Sequence, residues 1–146
     1  MEKLKLFVIS VFALGVLFTF QNCDKKSDPS PKEVTENILQ SKTWTVSSVN
    51  VPVNTATESD DWVNFTVSFS ASMTCAGWPT GASAVWPSGS YEVNEGGNQI
   101  TRGDGVVMSL SSKSETGFTA SFTVPPGTEI GGRIAALDGD YTFIMN

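Results

Sequence analysis

The chain has 146 residues, with 9 Lys plus Arg against 15 Asp plus Glu, a formal charge of −6 and no histidine. The acidic balance speaks against nucleic acid, whose phosphates want a basic footprint. The missing histidine removes the commonest general base and metal ligand, and 2 cysteines cannot make a thiolate zinc site.

Lys3 and Lys5 give a short basic start, and Leu6 to Phe20 then runs apolar except for Ser10 and Thr19. That is the layout of a signal peptide, and the run is short of the roughly 20 residues a membrane span needs. Phe20-Gln21-Asn22 offers no small-residue cleavage site; Cys23 follows, and then the polar tether Asp24-Lys25-Lys26-Ser27-Asp28-Pro29-Ser30-Pro31. The layout resembles the N-terminus of Gram-negative bacterial lipoproteins. Phe20 and Asn22 stand where that family usually has Leu and a small residue. The resemblance implies a signal peptide over 1–22, a diacylglycerol thioether on Cys23 and a tether over 23–32. It further implies attachment to the bacterial cell envelope, with the outer membrane favoured and its face open. Two other readings of the residues stay open: an uncleaved anchor over 4–22, and a Cys23–Cys75 disulfide in an oxidising compartment.

From the tether onward the chain is one domain, 33–146. Residues 31–40 predict a short helix with Ser30 as cap, Pro31 in the first turn and Glu33 and Glu36 near its positive end. Val34 and Ile38 share a face, and ten residues are too few to stand alone, so this helix must lie on something.

From Thr43 the hydrophobic period changes from 3.6 to 2. Strands are expected at Thr43–Val51, with a bulge where the parity of Trp44 and Val46 gives way to that of Val49 and Val51. The cleanest alternation, Asn64–Met73, predicts one half-buried antiparallel strand. Others are expected at Val85–Val93, Gln99–Arg102, Val106–Ser112, Gly117–Val124, Ile130–Ala136 and Asp140–Asn146. Short turn signals between them, such as Asn94-Glu95-Gly96-Gly97-Asn98 and Asp138-Gly139, make neighbours pair antiparallel.

The fold class expected is therefore all-β: a small antiparallel meander closing into a barrel of about eight strands after one short helix, with a β-sandwich as the alternative. Closure removes exposed edges, and a sandwich needs Greek-key returns that such turns do not supply. The helix, then Ser41-Lys42-Thr43-Trp44-Thr45-Val46 on the first strand, then a meander, is similar to bacterial lipocalin-like (calycin) domains. The resemblance implies that Trp44 closes the barrel's base beneath a late arginine, for which Arg133 is the candidate; Lys42 stands where the family has Gly.

Four constellations invite chemistry. Gly77–Tyr91 carries two Trp-Pro pairs, so Trp78 and Trp86, with Tyr91, are candidate ligand-binding residues, either as an aromatic platform or as packed plugs. Thr101-Arg102-Gly103-Asp104-Gly105 contains Arg-Gly-Asp and reads as a hairpin turn. Glu58–Val63 gathers three carboxylates beside Trp62 without EF-hand spacing, and reads as a solvated loop. Cys75, at a strand end, reads as a buried inert thiol.

No catalytic signature, cofactor motif or metal site emerges, and a carboxylate hydrolase is the remote alternative. The expectation is a non-enzymatic, membrane-anchored protein that binds a small apolar or amphipathic ligand in the barrel. The alternative is a filled barrel acting through its surface as an interaction or glycan-binding accessory module. An eight-strand barrel is just wide enough for either outcome.

Overall fold

In the computed structural model, residues 27–53, 55–127 and 137–146 are described. Helix α1 spans Pro31–Gln40. Eight strands follow: β1 Thr43–Asn50, β2 Thr66–Phe69, β3 Met73–Ala76, β4 Tyr91–Val93, β5 Gln99–Arg102, β6 Val107–Ser114, β7 Gly117–Val124 and β8 Gly139–Met145. The sheet order is β3-β2-β1-β8-β7-β6-β5-β4, with every pairing antiparallel. Each strand thus lies beside its sequence neighbour except β3 and β4, the two ends of the order, and β8 returns to β1. The fold is a meander barrel, not a sandwich.

The two outer strands nearly close the circle. Met73 and Gly89 exchange backbone hydrogen bonds of 2.8 and 2.9 Å, a single bridge just before β4. Beside it, the Ser88 hydroxyl accepts the Cys75 N–H at 2.8 Å and donates to the Cys75 carbonyl at 3.3 Å. A side chain there does the work of a missing backbone partner, so the edge of β3 keeps its polar groups satisfied.

The strand expected over Asn64–Met73 is a hairpin. Phe69 pairs with Met73 across Ser70-Ala71-Ser72, so the inward parity of Phe65, Val67 and Phe69 passes unbroken to Met73 and Cys75. Alternation alone cannot see a turn that preserves parity. The expected strand Val85–Val93 shrinks to Tyr91–Val93, because Val85 and Trp86 are buried in the preceding loop. The bulge expected in β1 is present as a register shift between Val46 and Ser48. The strand expected at Ile130–Ala136 falls outside the described residues.

An up-and-down barrel has two unlike ends. One carries the short turns Ser70–Ser72, Asn94–Asn98 and Glu115–Thr116, together with α1. Ser30 caps that helix, with its Oγ accepting the Glu33 N–H at 3.2 Å while Glu33 Oε2 accepts the Ser30 N–H at 2.7 Å. The helix lays Leu39 and Thr35 on the barrel: Leu39 is fully buried, and the Thr35 hydroxyl donates to the Gly97 carbonyl at 2.8 Å. The other end carries the described parts of the long β1–β2 loop, the loop 77–90, the β5–β6 turn and the ends of β7 and β8 at Val124 and Gly139.

The inside is filled by side chains. Trp44, Trp62, Trp86, Tyr141, Phe65, Phe118 and Phe143 lead the fully buried set. Edge-to-face pairs tie them together, among them Trp44–Phe118, Trp62–Phe143 and Trp86–Phe143, each with centroids 5.0 Å apart. Each such pair adds about 0.5–1.5 kcal/mol beyond the area it buries.

Candidate functional site

The long-loop end is built around two plugs that cover the aromatic interior. The first is Trp62, at the close of a 3₁₀ turn, Ser59–Trp62. That turn is pinned where Asp61 Oδ2 accepts the Glu58 N–H at 2.8 Å. The Trp62 ring meets Phe65, Tyr141 and Phe143 edge-on, and its Nε1–H points at the Thr57 hydroxyl at 3.4 Å. The acidic loop of the sequence is thus a solvated rim carrying one core tryptophan.

The second plug is Trp86, fully buried, which packs on Phe65, Phe122 and Phe143 and donates its Nε1–H to Met73 Sδ at 3.0 Å. It therefore offers no face to a ligand, and the paired Trp78–Trp86 platform is corrected: Trp86 is core. Trp78 is half-buried above it, with its Nε1–H donating to the Trp86 carbonyl at 2.8 Å. Tyr91 belongs to the opposite end. Its hydroxyl donates to the Ser70 carbonyl at 2.9 Å and accepts from Gln40 Nε2 at 3.1 Å, and its ring lies on Phe69. Hence Trp78, Trp86 and Tyr91 do not form one site.

Arg102 is the element that sequence reasoning undervalued. It is only 3% exposed. Its Nη1 donates to the Val85 carbonyl at 2.7 Å, its Nε donates to Asp104 Oδ1 at 3.1 Å, and its Nη2 forms an ion pair with Asp104 Oδ2. Asp104 also accepts the Val106 N–H at 3.1 Å. The Arg-Gly-Asp stretch is thus a β5–β6 turn folded inward, with the guanidinium committed to the core. Partial burial pushes the Asp104 carboxyl up, but the Arg102 hydrogen bonds, the Val106 N–H and the attraction of Arg102 outweigh it and hold the carboxyl below its ordinary value.

At the helix end, Trp44 is fully buried and donates its Nε1–H to the Leu39 carbonyl at 2.8 Å. The cation over its ring is Lys42, with Nζ 4.5 Å from the centroid. Arg133, the candidate for that place, lies outside the described residues, as does Cys23.

Between the loops 55–61 and 78–80 lies a cleft of about 450 Å³, lined by Ala56, Thr57, Asp61, Trp78, Pro79 and Thr80. Gly77, at φ +73°, lets the second loop cross the Asn64 backbone so closely that any Cβ would strike the Asn64 carbonyl. Behind Thr57, the Tyr141 hydroxyl is fully buried and makes no hydrogen bond of normal geometry. Burial raises its pKa, and the nearby Thr57 and Thr55 hydroxyls, which favour the ionised form, offset this only in part.

Among the described residues no three His, Cys, Asp or Glu groups converge to hold a metal ion, and no helix is long and apolar enough to cross a membrane. No protein-family model matches the chain, and no curated protein matches it. The fold and the cleft are therefore the ground for a functional reading.

Proposed function

We propose that this chain is a lipid-anchored, non-enzymatic lipoprotein of the bacterial envelope whose filled barrel acts by surface contact through its long-loop end. In this reading residues 1–22 are a signal peptide, Cys23 carries the lipid, and the following residues tether the barrel to the membrane. The outer membrane is the favoured location. The observation that carries the surface reading is the aromatic filling of the interior by Trp44, Trp62, Trp86, Phe65 and Phe143. A packed interior favours contact through the outside over a ligand held in the barrel mouth.

The tether supports the orientation. It leads into α1, whose first turn abuts the β4–β5 turn: Lys32 Nζ reaches Glu95 Oε1 at 3.2 Å. A lipid on Cys23 would therefore hold the short-turn end toward the bilayer and leave the long loops facing away from it.

The test is metabolic labelling with an alkyne palmitate, followed by native mass spectrometry of the detergent-solubilised full chain. Labelling is expected in the parent and absent in Cys23→Ala, with no apolar ligand retained. Labelling that persists in Cys23→Ala overturns the anchor. A stoichiometric apolar molecule carried by the barrel overturns the filled-barrel reading.

A further inference from the structure

We infer that the cleft between Asp61 and Trp78 is a subsite for a neutral saccharide. This rests on the proposal that the barrel works through its long-loop end, and it names the ligand class for that end.

The cleft offers one flat apolar surface and several polar groups around it. The Trp78 indole has already spent its N–H on the Trp86 carbonyl, so what remains for a ligand is ring surface. That bond, together with the Ala82 N–H to Pro79 carbonyl bond at 2.9 Å, fixes the ring before any ligand arrives, which lowers the ordering cost of binding. Across from it stands the Asp61 carboxylate, with only Oδ2 engaged by the Glu58 N–H. The exposed Thr80 side chain completes the polar lining, while the buried Thr57 lines the cleft with its hydroxyl already accepting the Trp62 N–H.

A sugar ring presents the complementary pattern: a C–H face that stacks on an aromatic ring, and edge hydroxyls that donate to a carboxylate. Other ligand classes fit less well. Among the described residues an anion finds no free cation here: none lines the cleft, and Arg102 is committed to Val85 and Asp104. An apolar molecule finds a single aromatic surface among polar groups. The volume of about 450 Å³ has room for one or two sugar rings.

The experiment follows the four Trp indole N–H signals of the uniformly ¹⁵N-labelled, detergent-solubilised full chain. The probes are maltotriose, cellotriose, mannotriose and, separately, tetralysine. Trp78→Phe assigns the reporting signal. One of the three sugars is expected to shift the Trp78 signal saturably while the other three signals stay still. Asp61→Ala should weaken that binding about tenfold. Thr80→Lys, at an exposed rim position, should abolish it without changing the thermal melt. A chain that none of the sugars shifts, or that tetralysine shifts while sugars do not, overturns the saccharide assignment. In either case palmitate labelling and the absence of a retained apolar molecule would still uphold the parent reading. Sugar binding that survives Thr80→Lys overturns the location.

Discussion

The guanidinium carbon of Arg102 lies 5.2 Å from the centroid of the Phe122 ring, inside the long-loop end of the barrel. A full positive charge is thus covered by an aromatic face on one side, while a carbonyl and a carboxylate neutralise it on the other. This arrangement explains why a barrel so rich in aromatics tolerates a buried cation: each of the three guanidinium nitrogens has a hydrogen-bond partner.

The Asp104 partner sets an acid dependence. Its folded-state pKa lies below the ordinary value, so its contribution is fully present above the unfolded aspartate pKa of about 3.9. It is lost as pH falls through that value toward the folded one. Asp104→Asn should cost about 1–2 kcal/mol at pH 7, a modest figure because the carboxylate keeps 38% of its surface exposed. Urea melts of parent and variant at pH 7, 5 and 3 check this. The gap should be equal at the first two and shrink at the third.

Trp78 and Trp86, eight residues apart and each followed by proline, should separate cleanly in mutants. Trp86→Ala removes a fully buried indole from contact with Phe65, Phe122 and Phe143, and should cost about 3–5 kcal/mol. Trp78→Ala removes a half-buried ring and should cost about half as much or less. Equal losses in chemical denaturation would contradict the assignment of Trp86 to the core and Trp78 to the cleft.

These two residues also mark the limit of what was legible in the sequence. The alternation Phe118, Ala120, Phe122, Val124 has a strand for its cause, and β7 spans Gly117–Val124 as expected. The Ser30–Glu33 capping box likewise set the start of α1. Trp78 and Trp86 sit in a loop with no period, so nothing local distinguishes the plug from the cleft wall. Only the long-range contact of Trp86 with Met73 and Phe143 does so. Arg102 was hidden for a similar reason. A turn motif fixes the backbone of Gly103 and Gly105 but carries no information about whether the flanking side chain folds inward. The Asp61–Trp78 cleft joins the β1–β2 and β3–β4 connections, which lie apart in sequence and meet only through the sheet order.

Cys75 should be chemically silent in the folded protein. Burial pushes its thiol up to about 12, despite the opposing pull of Arg102 and Ser88, so almost no thiolate exists at pH 8. In Cys23→Ala, whose one remaining thiol is Cys75, Ellman's reagent should react over hours in buffer and within a minute in guanidinium. Fast reaction in buffer would mean that the β3–β4 seam opens readily.

Gly97 is where α1 docks on the barrel, and its replacement should undock the helix. The residue has φ +64°, a conformation that costs any Cβ-bearing residue energy, and an added Cβ would strike the Pro31 carbonyl and come within 2.7 Å of Thr35 Oγ1. Gly97 is also the acceptor for the Thr35 hydroxyl and for Lys113 Nζ. Gly97→Ala therefore strains the turn and pushes away the first turn of the helix at once, and should cost more than about 1 kcal/mol. The helix covers Trp44 through the Leu39 carbonyl, so the damage should spread in a defined direction. Hydrogen exchange should quicken in Val34–Leu39 and at the Trp44 indole, while β7 and β8 keep their protection. Uniform loss of protection across the barrel would show instead that α1 and the strands unfold as one unit.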